Sequence, residues 1–326
     1  MTARPTLVYL TESEVRSSLT MPEAISLAER GIEADAVGDV AGDKFYMAVG
    51  DNGFIKPFSG YMKGDDLAYV KTFSFFEGNA AQGLPVTDSV VLLFDAETGL
   101  PVAIMEANWL TGLKTGASTG ATVRRLARPD SKVATIFGAG GLGRHHGEAI
   151  DHVLSLDELR IVDSVPEAAH HYAAEMADQI QAPIRVFETA EDAVTDADVV
   201  ITVTTGSAVN VESEWVKPGA FIARLGSYQE VSLDLFQKVD RLVVDRWEYV
   251  SYRIPEMVSL ISAGKMRRAD VVEWPDIVSG AAPGRQADDE TILYVALGIW
   301  GEYAAILPEA YRRARAAGLG TVIAGG

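Results

Sequence analysis

Apolar side chains recur at helical spacing through Ala24, Ile25, Leu27 and Ile32, and the segment carrying them opens with Thr20 followed three residues later by Glu23. Thr11 with Glu14 repeats that arrangement. Both are capping boxes, in which threonine and glutamate satisfy the free amides of a first turn, so two helices are expected to start there and the second to end at Gly38. From residue 44 to 100 the pattern shortens to runs of Val, Phe and Tyr broken by glycines at 50–53, 60, 64, 78–83 and 99, which predicts an antiparallel or mixed sheet joined by tight turns. Residues 102–126 read as helical for most of their length, closed by Pro129-Asp130.

Beyond Lys132 the texture changes again. Short apolar runs at 133–137, 158–162, 184–187, 199–203, 220–225 and 241–244 alternate with helical stretches such as 144–154 and 166–179. Strands alternating with helices imply right-handed crossovers and a parallel, doubly wound sheet. The tail from 290 to 317 reads as one or two helices punctuated by Pro308. A helix is expected to cross the domain boundary near residues 115–130.

The length of 326 residues supports two domains. With 46 acidic against 28 basic side chains the net charge is −18, which repels polyanions, so neither nucleic acid nor an anionic membrane is an expected partner. No cysteine is present, which excludes disulfides, thiolate metal sites and a cysteine nucleophile and fits a reducing cytoplasm. No apolar run approaches the roughly 20 residues of a bilayer span, and residues 7–10 fall short of a signal peptide's apolar core.

Gly138-Ala139-Gly140-Gly141-Leu142-Gly143 matches G-x-G-x-x-G, directly after one expected strand and before a helix, and Asp163 ends the next strand 25 residues after Gly138. Here Gly138 permits the turn, Gly140 admits a pyrophosphate and Gly143 lets helix and strand close up. The helix N-terminus supplies amide donors and a positive dipole end. Asp163 suits a ribose and repels a 2′-phosphate, so NAD(H) is expected over NADP(H), with Arg144 arguing the other way. The fold class is therefore α/β, a Rossmann-type doubly wound sheet over residues 119–304 plus a smaller α+β domain over residues 1–118 completed by a C-terminal helix at 305–326. Thr204 and Thr205, at a strand's carboxyl end, could line the nicotinamide ribose or only bond to backbone.

The sequence resembles the ornithine cyclodeaminase/mu-crystallin family along nearly its whole length. The matching pieces are Leu10-Thr11-Glu12, Thr20-Met21-Pro22-Glu23-Ala24, Ala68-Tyr69-Val70-Lys71, Gly83-Leu84-Pro85, Leu93-Phe94-Asp95 with Thr98-Gly99, and Leu110-Thr111 with Lys114-Thr115. The glycine fingerprint, Trp215 with Pro218-Gly219, Gly226-Ser227 and Asp288-Asp289-Glu290 follow in order. The resemblance implies a cytoplasmic homodimer built through the first domain. It also implies a cofactor site that takes in Thr115, Gly141, Leu142, Ser164 and Gly226. Where the family places a substrate-binding arginine, a lysine, a carboxylate-binding arginine and, in cyclodeaminases, a catalytic aspartate, this chain has Lys44, Lys71, Lys114 and Tyr228. A phenol, with a reference pKa of about 10, cannot replace that aspartate as a base at neutral pH. The reductase or amino-acid dehydrogenase branch is favoured over cyclodeamination. A non-catalytic, crystallin-like dinucleotide-binding protein is the alternative of another class.

Between residues 40 and 120 the only cations are Lys44, Lys56, Lys63, Lys71 and Lys114. Lys44 and Lys114 are expected to clamp an α-carboxylate, and Lys71, pressed by like charge, to exchange a proton with the amine or imine nitrogen. Thr87 and Tyr228 are secondary polar candidates. Lys56 would suit a second carboxylate, as in aspartate or iminosuccinate, though a lysine on a solvated turn is the plainer reading for Lys56 and Lys63; alanine is another substrate candidate. The expected substrate is a small anionic amino or imino acid. All five histidines fall between 145 and 171, and His145 and His146 fit the fingerprint helix better than a metal site, so no metal is expected. Gly116-Ala117-Ser118-Thr119-Gly120 matches a nucleophile elbow but has no strand entering it.

Overall fold

The computed structural model describes residues 6–206 and 208–323. Strand β1 (Leu7–Leu10) leads into helices α1 (Glu12–Arg16) and α2 (Met21–Ala36). In both capping boxes the threonine amide and hydroxyl donate to the glutamate carboxylate at 2.7–2.9 Å. There follow β2 (Val40–Lys44), β3 (Met47–Val49), β4 (Gly53–Met62), β5 (Leu67–Phe76), β6 (Thr87–Asp95), β7 (Pro101–Glu106) and α3 (Asn108–Leu126). The alternating part comprises β8 (Val133–Phe137), α4 (Gly141–Val153), β9 (Glu158–Val162), α5 (Pro166–Met176), β10 (Ile184–Val186), α6 (Ala190–Val194), β11 (Val199–Thr202) and β12 (Phe221–Arg224). It continues through α7 (Leu233–Lys238), β13 (Arg241–Val244), α8 (Trp247–Arg253), α9 (Pro255–Ser262), β14 (Val272–Glu273), α10 (Trp274–Val278) and β15 (Ile292–Val295). Helix α11 (Trp300–Ala316) and strand β16 (Thr321–Ile323) close the chain.

The described residues fall into two compact units, one running up to Lys114 and resuming at Trp300, the other Thr115–Ile299. The sequence pattern put these crossings at 118/119 and 304/305, a few residues later, because α3 and the segment entering α11 carry no break in composition there.

In the first unit the sheet runs β16-β1-β7-β6-β5-β4-β2, with β3 paired to β4. It is antiparallel except where β1 runs parallel to β7. Helix α11 packs against α2, β2, β4 and β5. Its approach to α2 is backbone to backbone: a Cβ on Gly31 would lie 2.2 Å from the Gly301 carbonyl oxygen. Pro308 sits buried inside α11 without ending it, so packing on both sides of this helix outweighs the hydrogen bond a proline removes.

The second unit is a parallel sheet in the order β10-β9-β8-β11-β12-β15-β13-β14. The order reverses between β8 and β11, which is where a doubly wound sheet opens a ligand crevice. Two expectations are corrected. Residues 102–106 are strand, not helix, because β7 finds β1 and β6 on either side. Residues 292–295 are strand β15, with every residue buried between β12 and β13. A strand covered on both faces reads as an unbroken apolar run, which periodicity alone does not separate from a buried helix. Among the described residues no helix is long and apolar enough to cross a membrane.

Candidate functional site

Strand pairing in the first unit lines up residues that lie far apart in the chain. Lys44 is opposite Phe58, Phe58 opposite Lys71, and Lys71 opposite Val91, so this row shares one sheet face. The next row on that face is Lys56, Phe73 and Ser89. Helix α11 adds Glu302 and Tyr303, held by a hydrogen bond from the Tyr69 hydroxyl to the Trp300 carbonyl at 2.8 Å.

Rings separate the cations. The Lys71 Nζ stands 5.6 Å from the centroids of Phe58 and Phe73 and 5.1 Å from that of Tyr303. Lys44 lies 5.8 Å from the Phe58 centroid, Lys56 6.0 Å from that of Phe73, and Lys114 4.9 Å from that of Tyr303. Lys44, Lys56 and Lys114 thus each share a ring with Lys71, while Lys63 sits apart on an exposed turn, paired with Asp39 at 3.1 Å.

Lys71 is fully buried, and its ammonium donates to the Ser89 hydroxyl at 3.3 Å. Ser89 Oγ is 3.2 Å from Thr111 Oγ1, and Thr111 also bonds the Tyr303 phenol. Loss of water, then the charges of Lys114 and Lys56, bring the Lys71 pKa down to about 7. Burial and the adjacent Glu302 push the Tyr303 phenol the other way, well above its ordinary value, so it stays protonated. Lys114 itself is buried against the Glu302 carboxylate. Its charge is matched by that carboxylate within the protein. Thr87 lies on the same sheet face beyond Ser89 and is exposed.

In the second unit the glycine turn has the shape a dinucleotide requires. Gly138 adopts φ +110°, and a Cβ there would meet the Val203 carbonyl oxygen at 2.8 Å. A Cβ on Gly143 would lie 2.0 Å from the Gly138 carbonyl oxygen, whereas around Gly140 and Gly141 there is nothing within 4 Å. Packing thus demands the outer glycines, and the inner ones leave room for phosphate against the start of α4. Leu142 is 40% exposed on the first turn of that helix. Asp163 accepts from the Ala139 amide at 2.8 Å and the Val165 amide at 2.9 Å, so it shapes the turn it borders. Ser164 is exposed beside it. Arg144 is tied to Glu175 and to the Ala139 carbonyl.

A model of the ornithine cyclodeaminase/mu-crystallin family matches residues 6–317. The chain belongs to that family. It is 28% identical over 323 residues to an alanine dehydrogenase of Archaeoglobus fulgidus, covering 97% of this chain and 98% of that protein. It is 31% identical over 251 residues to the ketimine reductase mu-crystallin of Rattus norvegicus, covering 76% of each. The solved structure of Thermococcus litoralis Δ1-pyrroline-2-carboxylate reductase in complex with NADH and L-proline superposes with a TM-score of 0.93 at 29% identity, covering 97% of this chain and 100% of that one. These relatives stand on the reductase and dehydrogenase side of the family, the branch that the residues at the family's site positions favoured.

Within this family frame, Tyr228 lies in the second unit, 47% exposed, with its carbonyl accepting from buried Arg224. The Thr204 amide and hydroxyl both donate to Glu230, at 2.7 and 2.8 Å. Glu230 also accepts from Thr202 and from the Gly226 amide, so this fully buried carboxylate ties the ends of β11 and β12 together. Thr205 is exposed. Thr115, the first residue of the second unit, continues α3. The sequence reading missed Glu230, Glu302, Ser89 and Tyr303. Only Glu302 left a trace, as the charge that interrupts the apolar run after residue 292. Ser118 is buried in the middle of α3, which removes the nucleophile-elbow setting. Among the described residues no three His, Asp or Glu side chains are grouped to hold a metal.

Proposed function

We propose that this protein is an NAD(H)-dependent oxidoreductase that interconverts the C=N and CH–NH2 bonds at Cα of a small 2-imino or 2-amino acid. Lys71 carries the proposal: a fully buried amine, among cations and rings, with a pKa of about 7. Such a group is protonated and neutral in comparable amounts at neutral pH, which is what a residue that both gives and takes a proton needs.

A dinucleotide held at the glycine turn, from Gly138 to Gly143, would supply or receive the hydride of the reaction. The chain's own residues do the rest. In reduction, the Lys71 ammonium delivers a proton to the substrate nitrogen; in oxidation, neutral Lys71 removes it. Lys44, on the same sheet face as Lys71, receives the α-carboxylate. Ser89, fixed by Thr111, orients the Lys71 nitrogen. The apolar rings exclude water and keep the charges around Cα effective.

NAD(H) is proposed over NADP(H) because the Asp163 carboxylate stands at the end of β9, where a 2′-phosphate would be repelled, and because Arg144 is engaged by Glu175. A homodimer is supported by the reverse face of the first sheet, where Ile55, Val70, Val90, Leu92 and Ile104 are all partly exposed. The deciding experiment follows NADH absorbance with 2-oxo acids plus ammonia or methylamine and with preformed cyclic imines. Consumption with at least one is expected. Tight NADH binding with no consumption by any would return the chain to a dinucleotide-binding protein without catalysis.

A further inference from the structure

In the reducing direction Lys71 has to regain a proton after every turnover, and its surroundings restrict where that proton can come from. The side chain is fully buried, and the rings of Phe58, Phe73 and Tyr303 stand around its ammonium. Apolar rings carry no proton. The hydrogen-bond partner of Lys71 Nζ is the Ser89 hydroxyl, at 3.3 Å, and a hydroxyl can accept one proton while it passes on another.

Ser89 also borders a cavity of about 360 Å³, shared with Tyr9, Asp88, Glu106 and Asn108, where β6 begins, β7 ends and α3 departs. This wall is polar where the other surroundings of Lys71 are aromatic. Tyr9 donates to Glu106 at 2.6 Å and Asn108 donates to Asp88 at 2.9 Å. Both carboxylates are thereby held in place with acceptor capacity to spare, since an ionised carboxylate takes about four hydrogen bonds. A cavity of this size has room for several waters, and Asp88 is exposed, so that water exchanges with the bulk. The two negative charges raise the local concentration of protonated species. Ser89 is fixed from both sides of this junction. Its carbonyl accepts from the Ala107 amide at 3.0 Å, and its Oγ lies 3.2 Å from Thr111 Oγ1, whose hydroxyl donates to the Ala107 carbonyl at 2.7 Å.

We propose that Ser89 is a proton relay that recharges Lys71 from water in this cavity, by a path that avoids the aromatic rings. The inference rests on the oxidoreductase reading above. A hydronium ion or buffer acid in the cavity gives its proton to Ser89 Oγ as the hydroxyl hydrogen passes to neutral Lys71 Nζ. The amine becomes an ammonium, the donor loses one proton, the serine is restored, and nothing is oxidised or reduced. In the oxidising direction the same path carries the proton out. Ser89 serves the reaction through Lys71 and does not itself touch the substrate.

The test separates the first turnover, which spends a proton already on Lys71, from later ones, which need a new proton. NADH-loaded protein, at a pH below the Lys71 pKa of about 7, is mixed rapidly with Δ1-pyrroline-2-carboxylate or with pyruvate plus ammonia, whichever is turned over faster, and NADH absorbance is followed. Ser89→Ala should leave the first turnover near the wild-type rate and slow later ones by about tenfold or more, and added imidazole should restore most of that loss. Ser89→Thr keeps the hydroxyl and should stay near wild type in both phases. Asp88→Asn, at the exposed end of the path, should slow later turnovers by about threefold and leave the first unchanged. If Ser89 only orients Lys71, first and later turnovers of Ser89→Ala fall together, and that result overturns the relay. Later turnovers that match wild type overturn it too, as do slow ones that imidazole does not speed, because product release would then be what has slowed. A Ser89→Thr as impaired as Ser89→Ala, or an Asp88→Asn with unchanged later turnovers, also overturns it. No turnover with any imine overturns the oxidoreductase reading and this inference with it.

Discussion

In the second unit the residues that shape the dinucleotide turn are close in sequence, from Gly138 to Gly143 with the Asp163 carboxylate one strand later bonding the turn's Ala139 amide. In the first unit Lys44, Lys56, Lys71 and Glu302 come from four elements and meet only because β2, β4 and β5 pair in one register while α11 returns to cover them. The turn is built from residues near one another in sequence, with the Val203 carbonyl closing on Gly138 from the neighbouring strand. The lysine cluster is a product of register, and a slip of one residue in β5 would turn Lys71 to the opposite face.

That contrast can be broken from either side, and the largest effect is expected at Lys71. Lys71→Ala should lower turnover by about a thousandfold or more, since it removes both proton donor and acceptor, while NADH binding measured by fluorescence stays near wild type. Turnover within tenfold of wild type would remove lysine catalysis from the mechanism. Gly140→Val should do the reverse. With nothing within 4 Å of a Cβ at that position the fold should tolerate the change, and the NADH Kd should rise by about thirtyfold or more as the side chain fills the phosphate space.

A smaller effect separates charge from packing. Reduction needs protonated Lys71 and oxidation needs it neutral, so the reductive rate should fall, and the oxidative rate rise, as pH increases through about 7. Removing the neighbouring ammonium in the double variant Lys114→Met/Glu302→Gln leaves no buried charge unpaired and should move both midpoints upward, read from pH–rate profiles. Unmoved midpoints would show that the Lys114 charge does not contribute to the Lys71 pKa. The same depressed pKa has a consequence for stability. Because the unfolded chain takes up the Lys71 proton near pH 10.5 and the folded one only near 7, this group's contribution makes folding more favourable as pH rises between those values. The smallest effect is expected at Asp163→Ser, which should narrow the preference for NADH over NADPH by about tenfold without altering the pH midpoints.

Much of this was legible in the chain itself. The capping boxes at Thr11 and Thr20, the strands 133–137, 158–162 and 241–244, and the glycine turn each depend on residues within a few positions of one another, so their signals survive in one dimension. Strand β15 was not legible, because a run buried on both faces carries no period. Lys56 could not be told from Lys63 by composition or spacing: both are lysines in a glycine-punctuated stretch, yet one lies against two phenylalanine rings and the other pairs with Asp39 at the surface.

The sequence by itself determined the parallel, doubly wound half, the dinucleotide turn, and the presence of an unusual group of lysines in an otherwise acidic protein. Only the tertiary structure decided which of those lysines act together. The Lys71 pKa, the neutralisation of Lys114 by Glu302 and the fixing of Thr204 by Glu230 all depend on distances and on the exclusion of water. Coulomb and desolvation energies are functions of position in space, and strand register and helix return place these groups at separations unrelated to their spacing along the chain.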